Sequence, residues 1–291
     1  MSKFKNTVAR GELGSTIFRY VFLVGSILFV LFPLYWMVIT SLKTEGELFA
    51  KAQTFFPKEL TWEHYFDPVN GIFASGSAFP QFFINSMIVS FVSMILCLVI
   101  GAYAAYSLAR FKMKNNRSEK ISFLILTARM LPPIVVVIPM YLIMQQLGLI
   151  NTHWAMLIVY TGFNLPFVVW MLKAFFEEIP EELEESAMID GASRMKSFHI
   201  IVLPLVLPGF VATSIFTLIL TWNEFMFAMF LLNSTNMMTL PAGISTFITQ
   251  YETNWGALTA AATISIIPVL IFSFIAQKHL VRGMTMGAVK G

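Results

Sequence analysis

A polar segment between two hydrophobic stretches carries residue types and a spacing that suit the docking of another protein. The segment runs from Glu184 to Leu205, and six of its residues follow the pattern E-x-A-x(3)-G-x(9)-I-x-L-P. These residues are Glu185, Ala187, Gly191, Ile201, Leu203 and Pro204. Small side chains let another surface approach closely, and acids at the flank complement a basic partner. The chemistry that this pattern offers is therefore electrostatic docking.

Residues 177–199, which we call the polar loop, are expected to form two short helices joined by a turn. Pro180 can occupy the first helical position, where its missing N–H costs nothing. Gly191 permits a backbone turn that a side chain would oppose. Ser193 can cap a second short helix that extends through Phe198.

An alternative interpretation of the polar loop is an amphipathic helix in the membrane interface that only connects two spans. Anionic lipid would repel the seven acids of the loop, which argues against this alternative. The acids are Glu177, Glu178, Glu181, Glu182, Glu184, Glu185 and Asp190.

The six-residue pattern resembles the EAA loop of ABC-importer permeases, the cytoplasmic segment through which an ATPase subunit drives the membrane subunit. The second position of the family motif is usually Ala and is Ser186 here, a nearly isosteric change. The resemblance implies that the chain is half of a gated pore moved by ATP that is hydrolysed elsewhere. It assigns ATPase coupling to these residues: Glu184, Glu185, Ser186, Ala187, Asp190, Gly191, Ala192, Ile201, Leu203 and Pro204.

Three further stretches are similar to carbohydrate-uptake permeases of the maltose-transporter-like branch: FFINSMIVS, TWNEFMFA and the tail VRGMTMGAVKG. The similarity runs from about Gln81 to Gly291. It implies an ABC type I importer permease in a bacterial or archaeal plasma membrane. Its partners would be a second, homologous permease in a heterodimer, two ABC ATPase subunits, an extracytoplasmic solute-binding protein and membrane lipid, with no nucleic acid.

The same resemblance implies that this chain is not an enzyme and binds no cofactor, since ATP and Mg would be held by the ATPase subunits. Consistent with this, the sequence contains no G-x-x-x-x-G-K-[ST] phosphate-binding motif. Its single cysteine, Cys97, and four scattered histidines show no metal-ligand spacing.

The composition independently predicts a membrane protein. Hydrophobic residues make up 57% of the chain and charged residues 12%, about half the charged share of soluble proteins. Six hydrophobic segments approach or exceed the length of about 20 residues that a spanning helix needs. We predict an all-α polytopic protein in which residues 1–291 form one permease domain with six transmembrane helices. The segments are Ile17–Leu42, Gln81–Ala109, Ile121–Met144, Trp154–Phe176, Ile200–Leu232 and Ala257–Gln277.

The distribution of Lys and Arg predicts which side of the membrane each loop faces. Three lysines, Lys43, Lys51 and Lys58, lie on one side, and fifteen Lys and Arg residues lie on the other, with Arg129 left near the end of a span. The fifteen are Lys3, Lys5, Arg10, Arg19, Arg110, Lys112, Lys114, Arg117, Lys120, Lys173, Arg194, Lys196, Lys278, Arg282 and Lys290. Because basic residues are retained in the cytoplasm, both termini and the polar loop are expected there.

Polar residues within or at the ends of the spans are candidates for a substrate path, since such residues are costly in a membrane. They are Asn85, Asn164, Trp222, Asn223 and Glu224. Trp222 would stack on a sugar, with the other side chains bonding its hydroxyls. The alternative is structural, with the amides joining helices and Glu224 acting as an interface anchor or a clamp between helices.

The remaining hypotheses concern the tail and the class of transporter. Gly287 and Lys290 would contact the ATPase dimer, and the alternative is a frayed end. Rival classes are an ABC permease for a non-sugar solute, an ATP-independent secondary transporter or channel, and a membrane enzyme.

Overall fold

The computed structural model describes the backbone of residues 2–111, 117–249, 251 and 253–287, and this part of the chain is dominated by helices. The first seven are α1 (Ser2–Thr40), α2 (Glu45–Leu48), α3 (Glu63–Phe66), α4 (Phe79–Arg110), α5 (Arg117–Ala128), α6 (Pro133–Gln146) and α7 (His153–Glu177). The others are α8 (Glu181–Ile189), α9 (Arg194–Ser197), α10 (Leu203–Leu205), α11 (Leu207–Trp222), α12 (Met226–Leu231), α13 (Leu240–Ser245) and α14 (Trp255–Gly287). The prediction of an all-helical polytopic membrane protein is confirmed.

Among the described residues, four helical stretches are long and apolar enough to cross a membrane, and two bent helix pairs bring the number to six if each pair is one span. The four are Phe18–Thr40, Phe79–Arg110, His153–Glu177 and Trp255–Ile275. The bent pairs are α5 with α6, at 89°, and Arg194–Leu205 with α11, at 74°.

The predicted helix over Ile121–Met144 is two helices in the structure. α5 ends at Ala128, and α6 begins at Pro133 after Pro132, whose ψ of 135° is extended. The second proline explains the break, because a residue that precedes proline is driven away from the helical conformation.

The predicted helix over Ile200–Leu232 also differs from the structure. The helical stretch begins earlier, at Arg194, and bends before α11. Pro208 lacks an N–H, and its ring opposes the carbonyl of Pro204 four residues earlier, which accounts for the bend. α11 ends at Trp222, and the last predicted residues form the separate helix α12.

The described residues form two compact units, one within the ranges 1–77 and 247–264 and the other within 78–246 and 265–291. In the second unit α4 packs along α7. A Cβ atom at Gly101 of α4 would lie 2.6 Å from Cγ1 of Val168 on α7, so the two helices approach through a residue without a side chain. Small residues at such contacts let membrane helices pack closely.

Replacing Gly101 with leucine is expected to destabilise the second unit, because overpacking costs about 1–3 kcal/mol. The measurement is the thermal unfolding midpoint of the purified protein in detergent. Gly162→Leu is the matched control, since a Cβ atom at Gly162 of α7 meets no atom within 4 Å. Equal midpoints for the two variants would contradict the close approach at Gly101.

Candidate functional site

The polar loop contains two helices joined by a tight turn, as the sequence predicts. α8 opens with Glu181, Glu182 and Glu184 in its first turn, where the helix dipole favours acids. Pro180, expected at the first helical position, is instead the preceding N-cap residue, because its ψ of 132° is extended.

The turn between α8 and α9 depends on Gly191, whose φ is +88°. Its N–H donates to the carbonyl of Met188 at 3.1 Å, and the N–H of Ala192 donates to the carbonyl of Ala187 at 3.0 Å. This pair of bonds defines a Schellman motif, which needs a left-handed residue at the position of Gly191. The side chain of Ser193 then accepts from the N–H of Lys196 at 3.3 Å, so the predicted cap of α9 is confirmed.

α9 does not stop near Phe198 but runs on through a π-helical stretch, Phe198–Val202, into α10. Three residues of the sequence pattern, Ile201, Leu203 and Pro204, therefore lie in a helix that leads out of the polar loop. Ile201 and Leu203 are half-buried, whereas Pro204 is exposed. Their positions fit a structural role at the start of the bent span.

Glu184 faces the interior of the chain, in contrast to the prediction that it belongs to the docking surface. Its side chain is 5% exposed and its Oε1 atom lies 2.5 Å from Nε of Arg110. The hydroxyl of Tyr106 donates to Oε2 at 2.5 Å, and Arg110 also donates to the carbonyl of Ile179 at 2.7 Å. The end of α4 thus holds the first turn of α8 through a buried ion pair.

Sequence reasoning missed Tyr106 and Arg110 as residues of this site. In the sequence Arg110 indicates only the sidedness of charge, because no local spacing connects it with an acid 74 residues further along the chain. The ring of Tyr106 packs 4.5 Å from that of Phe198 and 5.8 Å from that of Phe176. These rings join the ends of α4 and α7 to the helical stretch that leads out of the polar loop.

The rest of the predicted docking surface faces outward. Glu185, Ser186, Asp190 and Gly191 are exposed, and Ala187 and Ala192 are half-buried. An open depression of about 270 Å³ lies beside these residues. It is lined by Arg110, Phe111, Glu181, Glu184, Glu185, Met188 and Arg194. The lining combines both signs of charge with the apolar side chains of Phe111 and Met188, which suits an amphipathic side chain of a partner.

The amides of Asn85 and Asn164 are occupied by contacts within the chain. Asn85 is fully buried and donates to the carbonyls of Asn236 and Met238, both at 2.9 Å. Asn164 donates to the carbonyl of Tyr160 at 2.9 Å and accepts from Arg129 at 3.1 Å. These contacts match the structural alternative for both residues.

Glu224 and Trp222 also have partners within the chain. The carboxylate of Glu224 accepts from the Tyr160 hydroxyl at 2.6 Å and from the N–H of Phe227 at 2.9 Å, so it caps α12. Trp222 is buried and donates to the carbonyl of Ser265 at 3.1 Å.

The five candidate substrate-path residues do not form one cluster. Tyr160 connects Asn164 to Glu224, while Asn85 bonds a separate loop. Asn223 is exposed and donates to the carbonyl of Ile219 at 2.8 Å.

The predicted ATPase contacts in the tail fall at the limit of the structure. Gly287 is the last residue of α14. Lys290 lies outside the described residues.

Comparison with known proteins gives consistent matches. The family model of the "binding-protein-dependent transport system inner membrane component" matches residues 97–286. The diacetylchitobiose uptake permease of Streptomyces coelicolor is 34% identical over 90% of this chain and 92% of its own length. The trehalose/maltose transport permease of Thermococcus litoralis is 34% identical over 94% and 97%.

Among solved structures, a chain of a bacterial ABC transporter involved in the import of alginate aligns with a TM-score of 0.77. The alignment covers 90% of this chain and 95% of that one at 22% identity, so it supports the fold alone.

Removing the carboxylate of Glu184 is expected to destabilise the protein strongly, since breaking a buried ion pair costs about 3–5 kcal/mol. The measurement is the thermal midpoint of Glu184→Ala in detergent. Glu182→Ala is the control, because Glu182 lies on the same helix and is exposed. If both variants unfold at the wild-type temperature, the ion pair does not hold α8 to α4.

Proposed function

The chain belongs to the binding-protein-dependent inner-membrane components of ABC importers, and we propose from this membership that it carries a carbohydrate and is driven through the polar loop. It is a multi-pass inner-membrane permease subunit that works in a complex with ATPase and periplasmic binding-protein partners. The identity of the solute and the roles of individual residues are the proposed part.

The proposed solute is an oligosaccharide or a related polyol or sugar derivative. Two relatives named for uptake of diacetylchitobiose and of trehalose/maltose match this chain over at least 90% of its length. Similarity over this share of the chain supports a shared solute class, because it includes the segments that would line a pore. A permease for a non-sugar solute is the alternative, since the fold alone serves many solutes.

Coupling is proposed to run from the exposed half of the polar loop into α4. The exposed residues Glu185, Asp190 and Gly191 form the surface offered to the ATPase. The buried bond between Glu184 and Arg110 carries this proposal, because it fixes α8 to a helix of 32 residues long enough to cross the membrane. Displacement of the loop would then move α4 with it.

The complete complex is proposed to contain a second, homologous permease and two ATPase subunits that bind ATP and Mg. Closure of the ATPase dimer on ATP would draw the two polar loops together and open the pore outward, and hydrolysis would reset it. In this scheme the present chain contributes to the solute pathway and transmits the movement of the ATPase subunits to it, and the ATPase subunits hydrolyse ATP.

The solute class can be tested with the complex purified from its native membrane through an affinity tag on this chain. The co-purifying binding protein is screened by thermal shift against oligosaccharides, polyols and amino acids, and each ligand is then tested for stimulation of ATPase activity in proteoliposomes. A carbohydrate is expected to give both responses. Stabilisation and stimulation by an amino acid alone would overturn the carbohydrate proposal and leave the importer assignment intact.

Gly191→Leu is expected to uncouple ATP hydrolysis from transport while the protein still inserts and assembles. A left-handed backbone costs a side chain about 1–2 kcal/mol, so the turn that presents the docking surface would relax. A Cβ atom at Gly191 would meet no atom of this chain within 4 Å, so the substitution creates no clash at that atom. The measurement is solute uptake per ATP hydrolysed in proteoliposomes.

Gly148→Leu is a closely matched control for this variant. Gly148 has a φ of +68° and ends α6 with the same pair of bonds, Gly148 to Gln145 and Leu149 to Met144. A Cβ atom there also meets no atom within 4 Å. Its backbone cost is therefore similar, but it lies outside the polar loop. Equal loss of coupling in both variants would assign the effect to general strain and contradict docking at Gly191.

A further inference from the structure

The loop that follows α1 folds back along that helix. The ring of Phe55 lies 5.7 Å from that of Trp36, and the ring of Phe56 lies 6.2 Å from that of Tyr35. The hydroxyl of Tyr35 also donates to the carbonyl of Phe55. Tyr35 and Trp36 precede the end of α1 at Thr40 by four or five residues, or about 6–8 Å at the rise of an α-helix. Phe55 and Phe56 therefore lie beside the last turns of α1, at the depth in the membrane of Tyr35 and Trp36 and not beyond the helix end.

Polar contacts fix the returning segment in this position. Nζ of Lys43 donates to the carbonyl of Thr54 at 2.6 Å and lies 4.8 Å from the ring centre of Trp36. Glu47 accepts from the N–H of Lys58 at 3.1 Å and from the hydroxyl of Thr54. Hydrogen bonds from Thr54 and Lys58 hold the pKa of Glu47 below its usual range, so its carboxylate is charged at neutral pH. The buried charged groups of this segment, Lys43 and Glu47, therefore both have partners, and these contacts hold the segment against α1.

The exposed side of this loop over residues 45–60 carries a set of large apolar side chains among polar ones. Four side chains are between 63% and 74% exposed: Phe49, Phe55, Phe56 and Leu60. They continue the surface of the spanning part of α1, Phe18–Thr40, whose most apolar window has no buried residue. Lys51 and Lys58 are exposed beside them in the sequence, as are Glu45, Gln53 and Glu59. Aromatic side chains with flanking lysines are typical of the boundary between hydrocarbon and headgroups.

We propose that Phe49, Phe55, Phe56 and Leu60 insert into the leaflet at the C-terminal end of α1, with Lys51 and Lys58 at the lipid phosphates. Because most Lys and Arg residues of the chain lie on the cytoplasmic side, and this loop lies on the opposite side, the leaflet is the outer one. Lipid fits better than a protein partner for two reasons. The patch continues the apolar surface of a span, and its lysines complement anionic headgroups. The loop acts as an anchor that sets the depth of α1 in the membrane.

The proposal is tested by spin labelling of the assembled complex in vesicles of phosphatidylethanolamine and phosphatidylglycerol. The single cysteine of the chain, Cys97, is replaced by alanine, and this variant gives the background from the other subunits. A label at Phe56→Cys is then compared with one at Asn70→Cys, an exposed polar residue of the same unit. Accessibility to oxygen, which partitions into lipid, is measured against accessibility to a water-soluble nickel chelate.

The ratio of oxygen to nickel accessibility is expected to be several-fold higher at Phe56→Cys than at Asn70→Cys. Equal ratios would place the loop in water and overturn the proposal. Low accessibility to both reagents would mean that protein covers the patch, which also overturns it in favour of an interface with the second permease. Phe49→Cys provides the same measurement if the first variant does not assemble.

The role of the lysines is tested with Lys51→Gln/Lys58→Gln in the Phe56→Cys background. Raising the phosphatidylglycerol fraction is expected to increase the ratio of oxygen to nickel accessibility at Phe56→Cys in the parent. The increase is expected to be smaller in the double variant. An equal response to phosphatidylglycerol in the double variant and its parent would show that Lys51 and Lys58 do not bind the lipid phosphates.

Discussion

A carboxylate that leaves water must find a partner, and the position of the polar loop depends on how Glu184 meets that requirement. Arg110 and Tyr106, both near the end of α4, bond its two oxygens. Because α4 also packs along α7 through Gly101, the orientation of the loop is set by the central helix pair.

The same requirement explains where polar residues occur in the apolar segments. Asn85 donates to the carbonyl of Asn236, inside the short 3-10 turn Thr235–Met237, and to that of Met238, just after it. Arg129 lies at the break between α5 and α6 and donates to the carbonyl of Phe163 on α7 at 2.9 Å. Glu224 caps α12 just after α11 ends. Within a membrane every backbone polar group needs a partner. These side chains therefore stand where the helices are interrupted.

The features of the fold that could be predicted from the sequence are those that depend on residues close together in the chain. α4 begins two residues before and ends one residue after the predicted segment, because an apolar stretch of that length has few other solutions. The turn at Gly191 and the cap at Ser193 depend on single residues. The breaks could not be predicted from proline alone, since Pro33, Pro139 and Pro166 lie inside helices. Whether a proline bends or ends a helix depends on neighbours distant in sequence.

The pairing of Glu184 with Arg110 could not be predicted either, and it changes how the sequence pattern is understood. Glu184 and Glu185 are adjacent acids, yet one is buried and the other exposed, because consecutive residues on a helix point in directions about 100° apart. The pattern therefore combines a face that holds the chain together with a face that a partner can reach. A force on the exposed face would pass through one helix to Arg110, with no flexible segment between them.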